Sequence, residues 1–119
     1  VRIAALTCVL AILGSAALAA CSGDTSGATV KVTASDDACE LDSTDLVAGR
    51  TTFRVTNAGS KVTEVYVYGP GDRIVTEREN IGPGTSADFS VDLAAGSYEV
   101  ACKPGQTGDG IRQAITVSR

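Results

Sequence analysis

After residue 27 the hydrophobic positions of this chain alternate with polar ones. Phe53 and Val55 share one face of a run; Phe89, Val91 and Leu93 share another, with Asp88, Ser90 and Asp92 opposite. Tyr98, Val100 and Cys102 fall together, as do Ile115 and Val117. A period of two is the period of a strand with one buried and one wet face. The pattern predicts strands over 29–34, 44–47, 51–57, 63–68, 73–79, 86–93, 97–102 and 113–117. Turn formers punctuate them: Ala48-Gly49, Asn57-Ala58-Gly59, Gly69-Pro70-Gly71-Asp72, Gly82-Pro83-Gly84, Ala95-Gly96, and the glycines from Gly105 to Gly110. No run beyond the leader keeps a helical period, and there is no internal repeat. About eight short strands suit an all-β, two-sheet Greek-key sandwich.

The start of the chain follows a different pattern. Ile3 to Ala20 carries no charge, and Arg2 is its only basic flank. That is the make-up of a signal peptide, here residues 1–20, expected to be helical. Eighteen uncharged residues also stand at the lower limit for a membrane span. The run closes on Leu18-Ala19-Ala20-Cys21, small residues followed by a thiol, as in a bacterial lipobox. A thiol is needed there because a diacylglycerol is attached to sulfur before cleavage. The protein is therefore expected to be exported and held by the lipid on Cys21, at the outer face of the cell membrane or in the periplasm. Residues 21–27 read as a flexible Gly/Ser/Thr tether and 28–119 as the domain. The chain has no Met and opens on Val1, which leaves open both a GTG start and a start further upstream.

Composition narrows the chemistry. Of 10 basic and 14 acidic residues only Arg2 lies in the leader, leaving 9 against 14, or −5. Nucleic acid and anionic lipid select basic patches, so neither is an expected partner beyond the lipid anchor itself. His is absent, and so is Met. A type 1 copper centre needs two imidazoles and a thiolate, usually with an axial thioether, and cannot be built here. Histidine triads, histidine zinc sites and histidine general bases fall with it. No enzymatic activity is expected.

Several runs together resemble the EfeO-type cupredoxin-like domain of periplasmic iron-uptake proteins. The resemblance is carried by Val32-Thr33-Ala34 with Cys39-Glu40, by Ala48-Gly49 before Phe53-Arg54-Val55-Thr56-Asn57, and by Glu64. Glu77-Arg78-Glu79-Asn80-Ile81-Gly82-Pro83-Gly84 and Leu93-Ala94-Ala95-Gly96-Ser97-Tyr98-Glu99-Val100-Ala101-Cys102 complete it. It implies a cupredoxin β-sandwich that handles copper or iron during uptake. Longer relatives continue into a helical M75-type domain, whereas this chain stops at Arg119. An iron-uptake permease or an M75-type protein is the implied partner, and a stand-alone domain and a fragment both stay open.

Two constellations are candidates for metal. With Cys21 lipidated, Cys39 and Cys102 are the remaining thiols of the domain, apart from Cys8 in the leader. Two thiolates with Glu64 as oxygen ligand form a soft site suited to copper. The alternative is a Cys39–Cys102 disulfide, the usual state of a lone cysteine pair in an exported protein. The family can carry Met two positions before the second cysteine; here it is Val100, on the same face as Cys102. Glu99 should point the other way. Glu77 and Glu79, two apart on one strand, form a second acidic candidate for a hard cation. Against it stands a solvated, charged edge strand. The acids Asp36, Asp37, Glu40, Asp42 and Asp45 read alike, as a cation site or a wet loop. Tyr66 and Tyr68 share the face of Glu64 and read as sheet packing. The Gly105–Gly110 segment lacks the Lys-Ser/Thr of a phosphate loop and reads as a hairpin connection.

Overall fold

The computed structural model describes residues 27–119, so the expected leader, the expected lipidation site Cys21 and nearly all of the expected tether lie outside the described residues. Among the described residues nine strands form two sheets. β1 (Ala28–Ala34) buries Val30, Val32 and Ala34 and leaves Lys31 and Thr33 in water. It runs parallel to β4 (Gly49–Asn57), with Val30 opposite Phe53 and Val32 opposite Val55. β7 (Ser86–Leu93) lies antiparallel on the other side of β4, setting Phe89 against Phe53 with ring centroids 5.3 Å apart. β2 (Cys39–Leu41) closes the opposite edge, giving the order β2-β1-β4-β7. The outer face of this sheet is a polar ladder. Thr52 meets Ser90 at 2.7 Å, Arg54 meets Asp88 at 3.0 Å and Thr56 meets Ser86 at 3.0 Å. Cross-strand pairs of this kind fix register while keeping the face wet.

The second sheet has the order β3-β9-β8-β5-β6. It comprises β3 (Asp45–Val47), β5 (Thr63–Gly69), β6 (Arg73–Ile81), β8 (Gly96–Pro104) and β9 (Ile111–Ser118). A 3-10 turn, Pro70–Asp72, joins β5 to β6. Val65, Val67, Val100, Cys102, Ile115 and Val117 face inward and meet the apolar rows of the first sheet. Asn57 helps set the two sheets relative to one another. Its buried amide donates to the carbonyls of Lys61 (2.7 Å) and Ile81 (2.8 Å), and its side-chain oxygen accepts from Gly59 N–H. A buried amide with its groups paired stabilises one arrangement of the β4–β5 crossover over others.

The all-β sandwich is the fold that the alternation predicts, with one correction: nine strands rather than eight. The added strand is β2, three residues whose Cys-Glu-Leu pattern is too short to register as periodic. It exists because β1 supplies its partners, Ala34 opposite Cys39 and Val32 opposite Leu41. Pairing with neighbours also extends β6 to Ile81 and β8 to Pro104, past the ends set by local pattern.

Candidate functional site

β2 sits at the edge of one sheet and β8 in the middle of the other, yet their cysteines meet. Cys39 and Cys102 form a disulfide, with Cα atoms 5.5 Å apart at a sequence separation of 63. Both are buried, Cys102 completely, among the apolar side chains between the sheets. Val100 lies in the same inward row, and Glu99 points outward to within 3.7 Å of Arg112.

Glu64 does not join the sulfurs. On β5 it is the neighbour of Val65, which pairs with Cys102, while Glu64 itself pairs with Lys103. Successive side chains of a strand leave on opposite faces. Cys102 therefore points into the sandwich and Glu64 onto the outer face of the five-stranded sheet. The expected set Cys39, Glu64 and Cys102 is thus divided by the thickness of β5 and β8. Among the described residues no three of Cys, Asp and Glu are arranged to hold a metal ion.

The outer face has its own organisation. Glu64, Tyr66 and Tyr68 of β5 lie beside Lys103 and Glu99 of β8 and Arg112 of β9. Lys103 is only 8% exposed; its ammonium donates to the Tyr68 hydroxyl at 2.6 Å and sits 3.9 Å from the Tyr66 ring centroid. The Tyr66 and Tyr68 rings stack at 5.5 Å, and the Arg112 guanidinium covers Tyr68 at 4.3 Å. Arg112 in turn pairs with Asp72 at 2.7 Å. Lysine stem and aromatic faces cover one another, which explains a buried lysine on an outer sheet face. Gly110 belongs to the same packing: at φ 81 a Cβ there would approach the Lys103 Cγ to 2.9 Å.

Charge accumulates on the β6 side. Burial, then the negative fields of Glu79 and Glu77, push the Glu64 carboxyl above its usual range, against the pull of Lys103. The Tyr66 phenol is also pushed well up, first by hydrogen bonding with Glu77, then by burial and the surrounding carboxylates. Glu77 and Glu79 themselves are exposed on the edge strand. The loop acids serve as turn clasps: Asp36 accepts from Ser60 Oγ at 2.6 Å, which lowers its pKa, and Asp42 accepts from Lys31 N–H at 2.9 Å. Residue-by-residue reading missed Lys103. Its place opposite Glu64 depends on the β5–β8 register, although its spacing of two from Ala101 marks it as outward-facing once Cys102 is known to be buried.

A cupredoxin-like domain model matches residues 3–117 of the chain. The iron uptake system component EfeO of Escherichia coli (strain K12) is 38% identical over 73 residues, which are 61% of this chain and 19% of that protein. EfeO of Shigella flexneri matches over the same shares. The matched segment thus spans about a fifth of these relatives. Dithionite-reduced auracyanin from Roseiflexus castenholzii superposes with a TM-score of 0.61 at 17% identity, covering 78% of this chain and 100% of its own. Auracyanin A, a "blue" copper protein from Chloroflexus aurantiacus, gives 0.53 at 18% identity over 76% of this chain and 99% of its own. At those identities the likeness is one of fold.

Proposed function

The chain belongs to the cupredoxin-like domain family, and from that premise we propose that it serves iron uptake as an exported, non-catalytic module tethered by the lipid on Cys21. A resident blue-copper centre does not fit: the chain has no imidazole or thioether to offer, and its two buried sulfurs are bonded to each other. The metal is cargo instead. A dithiol reductant would deliver two electrons and two protons to the Cys39–Cys102 bond, leaving two adjacent thiols and an oxidised reductant. Deprotonated, this soft pair suits Cu(I). The partner is an iron-uptake permease or an M75-type protein, a reading supported by the likeness to a component of an iron uptake system. The observation that carries the reading is the juxtaposition of two sulfurs in a chain similar to EfeO.

The position of the bridge favours a second reading. It is buried and ties one sheet to the other, which suits a permanently closed staple in a structural or protein-interaction sandwich. One titration separates the two. Copper(I) is delivered from a chromophoric chelator to oxidised protein, to reduced protein and to a reduced Cys102→Ser variant. Tight transfer to the reduced wild type alone supports cargo binding. Equal affinity for reduced wild type and Cys102→Ser refutes it and leaves the staple.

A further inference from the structure

The two sulfurs are sealed from solvent: Cys102 is 0% exposed and Cys39 6%. Neither a reductant nor a metal carrier reaches Cys102 unless part of the sandwich moves. That part is not β8, which is paired along its length with β5 on one side and β9 on the other. Cys39 lies on β2, and among the described residues β2 pairs with β1 alone, through Ala34–Cys39, Thr33–Glu40 and Val32–Leu41. Glu40 is exposed, and Leu41 is only partly buried against the core. Apart from the bridge, little apolar surface holds β2 down, which is the condition for local opening. Both ends of β2 are pinned. Before it, Ser35 N–H donates to the Ala38 oxygen at 2.9 Å, and the Asp36 carboxylate accepts from Ser60 N–H at 3.0 Å and from its hydroxyl. After it, Asp42 N–H donates to the Lys31 oxygen at 3.1 Å, and Lys31 N–H returns a bond to the Asp42 carboxylate at 2.9 Å.

We infer that β2 is a redox-latched lid over Cys102, and that Cys39 is the sulfur at which the latch is opened. A thiolate of a dithiol reductant attacks the Cys39 sulfur, the more exposed of the two. The Cys39–Cys102 bond breaks as the new one forms, and Cys102 leaves as thiolate. The reductant's second thiolate then attacks its own sulfur in the mixed disulfide and releases Cys39. Two electrons pass to the pair, the protons of the reductant's two thiols pass to the two cysteines, and the reductant ends as a disulfide. Without its latch, β2 lifts between its pinned ends and uncovers Cys102. That the opening admits Cu(I) rests on the cargo reading above; the movement itself does not.

Hydrogen exchange on the full chain, free of metal, tests the movement by comparing residues 38–42 with residues 96–104 of β8. Reduction should raise the ratio of their exchange rates at least about tenfold. Leu41→Ala, which removes the packing of β2, should raise the ratio further in the reduced protein. Val91→Ala, which trims a partly buried side chain on the far strand β7, should leave it unchanged. Acceleration that is uniform across the chain, or a ratio that Val91→Ala moves as much as Leu41→Ala, would overturn the lid. The order of attack is read by trapping oxidised protein with a dithiol protein whose second cysteine is replaced by serine, then mapping the adduct. The adduct should sit on Cys39. An adduct on Cys102, or none until the domain unfolds globally, overturns the assignment. Copper transfer is scored separately: a lid that opens without Cu(I) binding refutes the cargo reading alone, and Cu(I) binding without faster exchange over 38–42 refutes the lid alone.

Discussion

Opening the Cys39–Cys102 bond should cost this domain a large part of its stability. The bridge closes a loop of 63 residues. The chain-entropy relation for that length gives about 14 cal/mol/K, or about 4 kcal/mol at 25 °C. A domain of this size holds only about 5–15 kcal/mol in total. Replacing one cysteine by serine adds a second cost, because position 102 is fully buried and a hydroxyl stranded there loses roughly 1–3 kcal/mol. Cys102→Ala avoids that term and isolates the loop. The assay is urea unfolding at neutral pH, followed by circular dichroism, of oxidised, reduced and variant protein. With a slope of about 1–1.5 kcal/mol/M, the midpoint of the reduced protein should fall by roughly 3 M. A bond has two ends and breaks once. Cys39→Ala and Cys102→Ala should therefore each lose the loop term in full, and the double variant should lose little beyond the cavity cost of a second deletion. A midpoint shift under about 0.5 M on reduction, or single losses that sum in the double variant, would refute loop closure as the source of the stabilisation.

Two further outcomes follow from the same reasoning. The Glu64 carboxyl has a folded pKa raised above its ordinary value near 4.5, chiefly by burial. Its contribution to stability is then complete below about pH 4.5 and is lost as pH rises through the folded value. Glu64→Gln removes that loss, so the variant should gain on the wild type between pH 4 and pH 7 in metal-free urea titrations; a constant gap across that range contradicts the burial argument. For the anchor, Cys21→Ala should move the protein from the membrane fraction to the soluble fraction of expressing cells, since lipid attachment requires the thiol. Unchanged partition would exclude lipidation at that position.

Strand content was legible because alternation is written locally. Phe89, Val91 and Leu93 declare a buried face whatever lies across from them, and the structure gives that run the same limits, Ser86–Leu93. β2 was not legible, since three residues hold no period and depend wholly on β1. The outward placement of Glu99, the inward placement of Val100 and the face shared by Glu64, Tyr66 and Tyr68 were all readable in the same local way. The separation of Glu64 from Cys102 was harder: each has a definite face on its own strand, but only the pairing of Val65 with Cys102 says that those faces are opposite. Lys103 over Tyr66 belongs to the same class of fact.

By itself the amino-acid order determined an all-β domain, a net acidic charge, and the absence of imidazole and thioether ligands, because these are properties of composition and of neighbours along one strand. Tertiary structure alone decided that residues 39 and 102 share a bond and that Glu64 stands apart from them with Glu77, Glu79 and Lys103. Such contacts join strands distant in sequence. Their choice of neighbour and register is settled by the packing of two whole sheets, which no single stretch of the chain encodes.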